Sequence, residues 1–489
     1  MRTLLRGGSR LMLAACLFLS CLFAAAAQSP ALVTLYAFSS DATGVNSDGA
    51  YPRGGLILAS DGAFYGTATN GGAHGNGTIF KITPDGAWTT LYSFSNAFGL
   101  PETNADGSHP YDNLLEGSDG NFYGTTRDGG ANGYGVVFQI SPQGAFTTLH
   151  AFQAADGANP YAALVAGPDG DFYGTTTYLG GNDSGTVFKI SPSGDFTVLY
   201  NFTYFGFTDG ADPEAALLLG SDGAFYGTTF AGGHAEYGAI FRITTDGQET
   251  LLYSFHDPDG LYPRAPLIEG PNGVLYGSAF VGSPVGVGTV FKIEPNGHLV
   301  GLHRFEGPEG AYPNALIQGS DGNLYGTTYA GGQYGYGTIF ELTVHRGYTT
   351  LHSFTGADGA YPRAGLIEGP GGNLYGTTFG GGTNGDGTLF CLQTGRPVPV
   401  LSRITPNGVA TDSRRITLTA LGSGFSPDSA VRWTSGTTSL TLDTTYVSAT
   451  ELQAVVPGPL LETSGKAEIT VFTPPLGGGV SNPRTFRIR

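Results

Sequence analysis

A repeat of about fifty residues constrains the fold of this chain more than any other feature. A Tyr-Gly core that is preceded by Phe or Leu and followed by Thr or Ser, as in "DGNLYGTT", occurs in seven copies, with its tyrosines at Tyr65, Tyr123, Tyr173, Tyr226, Tyr276, Tyr325 and Tyr375. Each copy holds four short apolar or aromatic runs, separated by glycine, aspartate and proline turn signals. Four strands in a unit of this length predict an antiparallel sheet of the kind that forms one blade of a β-propeller.

The ends of the repeat region are offset by one strand. The strand "VTLYAF" precedes the first Tyr-Gly pair, whereas the seventh unit stops at "GTLFCL" without such a strand. In a ring, the N-terminal strand would complete the last unit and remove both exposed sheet edges. The predicted fold class is therefore all-β, with a seven-bladed β-propeller at residues 32–395, closed by a strand exchanged between the two ends of this region.

The composition agrees with a packed β-structure and excludes several functions. Of the 489 residues, 81 are glycine, 12% are aromatic and only 12% are charged, which is untypical of disorder. The formal net charge is −17, and no basic stripe interrupts it, so nucleic-acid binding is not expected. No HExxH, CxxC or GxSxG motif is present. The Gly-x-Gly runs lead into strands rather than helices, which argues against phosphate loops.

The N-terminus predicts export. Three arginines precede an apolar run in residues 1–27, and small residues offer a cleavage site after Ala27. A competing interpretation is a lipoprotein signal that ends at Cys16. The expected localisation is secreted or cell envelope, with no transmembrane segment in the mature chain. Cleavage at Ala27 would leave Cys391 as the single cysteine, so a large core rather than disulfides must support the fold.

The repeat units resemble a known family. Units such as "GSDGNLYGTTYAGGQYGYGTIFELT" and "GPGGNLYGTTFGGGTNGDGTLFCLQ" are similar to the Gloeobacter–Verrucomicrobia (GloVer) tandem repeat across all seven copies. The glycine doublet followed by an aromatic residue is also similar to kelch blades. The GloVer resemblance implies an exported bacterial repeat protein whose molecular function is unassigned.

Residues 397–489 lack the Tyr-Gly repeat. They carry short alternating strands with turn residues between them, as in "ITLTALGSGFSPDSAVRW" and "GKAEITVFTP", a pattern that predicts a β-sandwich. The "ITP" opening, the "GSGF" corner and the "SNPRTF" ending resemble the IPT/TIG family. This resemblance implies an immunoglobulin-like domain at residues 397–489 that serves as a spacer or in adhesion.

The loop that leads into each repeat carries the motif D-G-x-x-P or a near copy. Its acidic residues are Asp48, Asp106, Asp156, Asp209, Asp259, Glu309 and Asp358. If these loops cross toward the propeller axis, the carboxylates ring the mouth and offer oxygen ligands to a cation such as Ca²⁺. Turn chemistry is the alternative, since aspartate, glycine and proline favour tight turns without any ligand. No other cofactor is expected.

The residue before each motif proline is often aromatic or histidine. These positions are Tyr51, His109, Tyr262, Tyr312 and Tyr361, while Asn159 and Asp212 occupy the remaining two. Aromatic side chains interleaved with acids at a loop-rich face are expected to bind a ligand, and tyrosine rings suit a glycan.

Three functional hypotheses remain open from sequence alone. The leading one is an exported, non-catalytic, monomeric binding or adhesion protein, whose loop-rich face meets a glycan or a cell-surface protein. The alternative is a polysaccharide lyase or hydrolase at the same mouth, although a near-symmetric ring singles out no pair of carboxylates for glycosidase chemistry. The third is a structural envelope protein without a small ligand.

Overall fold

The computed structural model describes residues 30–39, 46–99, 101–203, 209–282, 286–319, 322–343, 347–369, 372–393, 399–411, 413–425, 429–436, 438–473 and 479–489. The predicted signal segment lies outside the described residues. Almost all regular structure in these ranges is β-strand, with short 3₁₀ turns such as Pro271–Gly273 and Gly458–Leu461. The all-β prediction is confirmed. No helix in these ranges is long and apolar enough to span a membrane.

The repeat region forms seven four-stranded antiparallel sheets in meander order, numbered here along the chain. Their strands are, for sheet 1, Ile57–Leu58, Phe64–Ala68, Thr78–Ile82 and Trp88–Ser93; for sheet 2, Leu115–Glu116, Phe122–Asp128, Val136–Ile140 and Phe146–Ala151; for sheet 3, Val165–Ala166, Phe172–Thr176, Asp183–Ile190 and Phe196–Thr203; for sheet 4, Leu218–Leu219, Phe225–Thr229, Ala239–Ile243 and Glu249–Ser254; for sheet 5, Ile268–Glu269, Leu275–Ala279, Thr289–Ile293 and Leu299–Arg304; for sheet 6, Ala311–Gln318, Leu324–Ala330, Thr338–Leu342 and Tyr348–Ser353; and for sheet 7, Ile367–Glu368, Leu374–Thr378, Thr388–Gln393 and Ala31–Ala37. Short extra strands are Ser108–Pro110 in sheet 2 and the pair Gly210–Ala211 and Ala231–Gly232.

The predicted strand exchange is confirmed. The N-terminal strand Ala31–Ala37 pairs antiparallel with Thr388–Gln393 and supplies the outermost strand of sheet 7, with Val33 opposite Cys391. Cys391 is buried in the sheet. The edge that the seventh repeat would otherwise expose is therefore covered by a strand from the start of the same chain.

The apolar core lies between consecutive sheets, and this packing is cyclic. Between sheet 7 and sheet 1, Phe38 and Tyr375 are buried in one cluster with Phe64, whose ring centroid lies 4.4 Å from that of Tyr375. The Thr377 hydroxyl also donates to the Gly54 carbonyl at 3.0 Å across the same junction. Six further clusters join the remaining neighbours in the same way. Each buried aromatic side chain contributes roughly 2–3 kcal/mol, so the ring of sheets is held mainly by these junctions.

Two further sheets follow the repeat region and enclose their own core. One has the strands Val400–Thr405, Ile416–Ser423, Glu451–Val456 and Asp443–Ser448; the other has Gly408–Val409, Arg484–Ile488, Gly465–Thr473, Ala430–Ser435, Thr438–Thr441 and Gly479–Val480. Leu418 and Leu452 from the first sheet are buried against Trp433, Ile469 and Phe486 from the second. The two-sheet packing matches the predicted β-sandwich architecture.

Candidate binding site

Residues from all seven repeats line a shared cavity of about 410 Å³, and one loop position of every repeat contributes to this lining. The contributing residue follows the proline of each D-G-x-x-P loop, and we call this position the slot. The slot residues are Arg53, Tyr111, Tyr161, Glu214, Arg264, Asn314 and Arg363. The slot was not among the predicted site positions. The signal that could have revealed it is its variation, because one loop position of an otherwise regular repeat changes between basic, acidic, amide and aromatic residues.

A contact between neighbouring sheets positions each slot. The residue before the proline has a left-handed backbone conformation, with φ between 55° and 61°, which costs a non-glycine residue roughly 1 kcal/mol or more. In this conformation Tyr361 donates its backbone N–H to the Tyr336 carbonyl of the preceding sheet at 2.8 Å. We call this contact the latch. It occurs in seven loops, with donors Tyr51, His109, Asn159, Asp212, Tyr262, Tyr312 and Tyr361.

The second glycine of each Gly-x-Gly run completes the latch. A Cβ atom on Gly337 would lie 2.8 Å from Cδ of Pro362 in the next sheet, and one on Gly387 would lie 2.8 Å from Cδ of Pro52. Both glycines also have positive φ, at 97° and 102°. The Gly-x-Gly motif is thus a point of close backbone approach, and the proline beyond it fixes the direction in which the chain carries the slot residue.

Two slot arginines lie against the same aromatic ring. The guanidinium carbon of Arg53 is 4.8 Å from the ring centroid of Phe379, and that of Arg363 is 4.6 Å from it. Arg53 also lies 4.6 Å from the Tyr111 ring and hydrogen-bonds to the Tyr111 hydroxyl. Arg363 lies 4.6 Å from the Tyr329 ring. Burial lowers the pKa of Arg53, and the charge of Arg363 acts in the same direction.

The third slot arginine is already neutralised. Arg264 lies between the rings of Phe230 and Phe280, at 4.5 and 4.7 Å, and its Nε is 3.1 Å from a carboxylate oxygen of the slot residue Glu214. Burial raises the pKa of Glu214, and the positive charge of Arg264 opposes this rise. The cavity therefore has one neutralised arginine on the side of sheets 4 and 5.

Tyrosine rings and a buried carboxylate complete the lining. The rings of Tyr111 and Tyr161 meet edge to face with centroids 4.6 Å apart, and burial raises the pKa of Tyr161 to about 12. Burial also raises the pKa of Asp112, whose two oxygens accept the backbone N–H groups of Asn113 at 2.8 Å and Ala163 at 3.0 Å. The Asp112 carboxylate is thus engaged in joining sheet 2 to sheet 3.

The predicted ligand-binding residues lie two positions before the slot and outside the cavity lining. Their rings pack behind the aromatic residues on which the slot arginines lie: Tyr51 on Phe379 at 5.2 Å, Tyr262 on Phe230 and Tyr312 on Phe280 at 4.8 Å, and Tyr361 on Tyr329 at 5.3 Å. His109 instead lies 3.2 Å from the Asp128 carboxylate. These residues support the lining from behind, and their direct part in ligand binding stays a prediction.

The seven acidic residues of the motif are not brought together. Each carboxylate bonds back to a tyrosine or histidine on the outermost strand of the preceding sheet; the pairs are Tyr36–Asp48, Tyr92–Asp106, His150–Asp156, Tyr200–Asp209, Tyr253–Asp259, His303–Glu309 and His352–Asp358. Within the described ranges, no group of three or more His, Cys, Asp or Glu side chains is arranged to hold a metal ion. The motif anchors its loop at the outer strand, so the expected convergence at a mouth does not occur.

This arrangement defines a tandem-repeat protein in which seven sheets share one cavity. The sequence matches the family model described as the Gloeobacter/Verrucomicrobia repeat over residues 22–234 and 213–420. The chain therefore belongs to the Gloeobacter/Verrucomicrobia repeat family. No curated protein matches it.

Several solved structures resemble this one at low sequence identity. A lectin from Burkholderia pseudomallei is 10% identical, with a TM-score of 0.46, covering 70% of this chain and 99% of the lectin. A polysaccharide lyase that acts on ulvan is 10% identical, with a TM-score of 0.47, covering 74% of this chain and 96% of the lyase. A gluconolactonase from Xanthomonas campestris is 14% identical, with a TM-score of 0.38, covering 63% of this chain and 90% of that enzyme.

Proposed function

We propose that this chain is an exported, non-catalytic protein that binds a glycan in the cavity shared by the seven sheets. In this proposal residues 1–27 are a signal peptide, the sheets of residues 32–395 are the blades of a seven-bladed β-propeller, and residues 397–489 are an IPT/TIG-like immunoglobulin domain that holds the propeller away from its attachment point. The mature protein acts as a monomer.

The slot carries this proposal. The latch and the glycines around it recur in all seven loops, whereas the slot side chains differ between loops. A position that varies inside a fixed frame is where recognition is built. The cavity combines aromatic faces from Tyr111 and Tyr161 with polar side chains such as Asn314, a mixture that suits a ring with apolar faces and hydroxyl edges.

Binding is favoured over catalysis because the cavity acids are already engaged. Asp112 accepts two backbone N–H groups, and Glu214 pairs with Arg264. A glycosidase needs one carboxyl group free to give a proton and a second one free to act as nucleophile or base. Neither acid is free in that sense.

A glycan-binding screen on the chain from residue 28 onward tests the proposal. We expect at least one saccharide to bind, and Tyr111→Ala or Tyr161→Ala to weaken that binding tenfold or more with little loss of stability. Tyr334→Ala is the matched control, because Tyr334 is 52% exposed and lies outside the cavity lining. Unchanged binding in both cavity variants would overturn the proposed site, and turnover of a bound saccharide would replace the binding function by an enzymatic one.

A further inference from the structure

The positive charges of the slot arginines are only partly balanced by carboxylates of the described residues. Arg264 has a carboxylate partner, but no carboxylate oxygen of the described residues lies within 4.0 Å of Arg53 or Arg363. Both of these arginines lie against Phe379, so their charges are close together. Two like charges repel in a partly buried cavity. This unpaired arrangement occurs in a chain whose formal net charge is −17.

The hydrogen-bonding capacity of these two arginines is largely unused. Each guanidinium group has five N–H donors in a planar fork. Nε of Arg363 is buried without a hydrogen-bond partner, and the side-chain partner of Arg53 is the Tyr111 hydroxyl. An unpaired buried donor costs about 1–3 kcal/mol. Aromatic rings hold both side chains from their faces, which leaves the donor edges of the guanidinium groups for a ligand.

We infer that Arg53 and Arg363 bind an anionic oxygen group of the ligand, so that the saccharide taken by this cavity is acidic. This inference rests on the proposed function. A carboxylate of a uronic acid and a sulfate ester both present paired oxygens that a guanidinium fork binds bidentately. The neighbouring rings of Tyr111 and Tyr161 would then contact the sugar that carries the anionic group.

Matched saccharides test the charge requirement. Oligogalacturonate carries carboxylates, its methyl ester has the same backbone without charge, and a sulfated galactan oligosaccharide carries sulfate instead. Calorimetric titration is expected to give binding of one acidic oligosaccharide at least tenfold tighter than that of its uncharged counterpart, with affinity that falls as salt increases. The comparison between the carboxylated and sulfated oligosaccharides identifies the source of the anion.

The slot supplies a matched set of variants. Arg53→Gln and Arg363→Gln are expected to lose tenfold or more in affinity each, whereas Arg264→Gln is expected to lose less than threefold, because Arg264 is already paired with Glu214. Arg363→Lys keeps the charge but not the fork and is expected to recover binding only in part. Equal losses in all three glutamine variants would overturn the inference.

A second measurement separates this inference from the proposed function. Sulfate and glucuronate are expected to raise the melting temperature of the parent chain above that in chloride of equal ionic strength, and the double variant R53Q/R363Q is expected to lose this shift. If the anions stabilise the parent while no saccharide binds, the anion site stands and the glycan function fails. If neutral and acidic saccharides bind equally, the glycan function stands and the anion inference fails. If neither anion shifts the melting temperature and no acidic saccharide binds, the inference is overturned.

Discussion

The outer and inner ends of the seven loops follow opposite rules. At the outer end, an acidic side chain always bonds to a tyrosine or histidine of the preceding outermost strand, as Asp358 does to His352 at 3.0 Å. At the inner end, two residues beyond the latch donor, the slot holds arginine, tyrosine, glutamate or asparagine. The comparison teaches that repetition marks the contacts that close the ring of sheets, and variation marks the surface at which we propose that a ligand binds.

Removing the exchanged strand should have the largest effect, because it opens the ring. Deletion of residues 28–40 removes Ala31–Ala37 and Phe38, and it exposes the edge of Thr388–Gln393. Loss of the buried Phe38 ring alone costs about 3–5 kcal/mol. We expect aggregation, or melting far below the chain that lacks only residues 1–27, in calorimetry and light scattering. Equal melting of the two chains would show that the outer contacts do not close the ring.

Alanine variants of two glycines in one loop distinguish the effect of close packing at the latch from the cost of a positive φ alone. Gly335 and Gly337 both have positive φ, at 82° and 97°, but a Cβ would meet nothing within 4 Å at Gly335. At Gly337 a Cβ would meet the Thr328 carbonyl oxygen of its own sheet and would lie 2.8 Å from Cδ of Pro362 in the next sheet. Both alanine variants carry a backbone cost of roughly 1 kcal/mol. Gly337→Ala should lose a further 1–3 kcal/mol or so by overpacking. Urea unfolding measures the difference, and equal losses would contradict the latch.

Glu249, at the start of the outermost strand of sheet 4, should show a pH effect. Phe196 in sheet 3 stacks on His150 at 3.8 Å, whereas sheet 4 places Glu249 at the equivalent strand start, near Tyr200 and Asp209. Burial, with the charge of Asp209, raises the Glu249 pKa to about 7. The folded state therefore binds this proton more tightly than the unfolded chain, and stability falls as pH rises from about 4.3 through 7.

The variant Glu249→Gln removes this loss. It should be more stable than the parent at pH 8, by about 1 kcal/mol, and the difference should shrink toward pH 5. Glu236→Gln, at an exposed position, is the control and should give no pH-dependent difference. If the free energies of unfolding of the parent and Glu249→Gln changed in parallel with pH, the predicted effect of the Glu249 carboxyl group would be wrong.

The smallest effect is expected from calcium. Asp358 accepts bonds from the His352 ring, the Thr355 backbone N–H and the Thr355 hydroxyl. Its oxygens are thus occupied within one loop, and calcium should shift the melting temperature of the parent and of Asp358→Asn by less than about 1 °C. A calcium-dependent rise in the parent that Asp358→Asn loses would restore a metal role for the acidic residues.

The sequence was sufficient to predict the all-β repeat of four-stranded sheets and the strand exchange, but it was not sufficient to predict the slot. The strand exchange follows from one unmatched strand at each end of the repeat, such as Ala31–Ala37, and requires no knowledge of side-chain contacts. Alignment of repeats directs attention to the acidic position of Asp48, which is constant in charge, and to the tyrosine-rich position of Tyr51; the structure shows that the first anchors the loop at the outer strand and that the second forms the latch. The position on the outermost strand that bonds to each acid is also always tyrosine or histidine. This pairing was the sequence signal that the acids lie at the outer strand.

The slot was missed for the same reason, because the alignment of repeats emphasises positions that stay constant. Arg53, Glu214 and Asn314 share no chemistry, so a search for constant positions passes over them, and only attention to variable positions would have found them. Their common destination depends on the left-handed residue before each proline, and a tyrosine at that position gives no sequence signal for positive φ. A backbone conformation that propensity does not favour, held by a bond to the neighbouring sheet, therefore decides which side chains meet.

Because the latch and a proline precede every slot, each repeat can change the side chain that it presents to the cavity through a single codon while its backbone stays in place. Gene duplication supplies the copies, and point substitutions then determine the combination of seven slot residues around the cavity. In this chain the combination is Arg-Tyr-Tyr-Glu-Arg-Asn-Arg. A combinatorial library that varies the seven slot residues, with the glycines and prolines kept unchanged, would turn this scaffold into a source of new receptors.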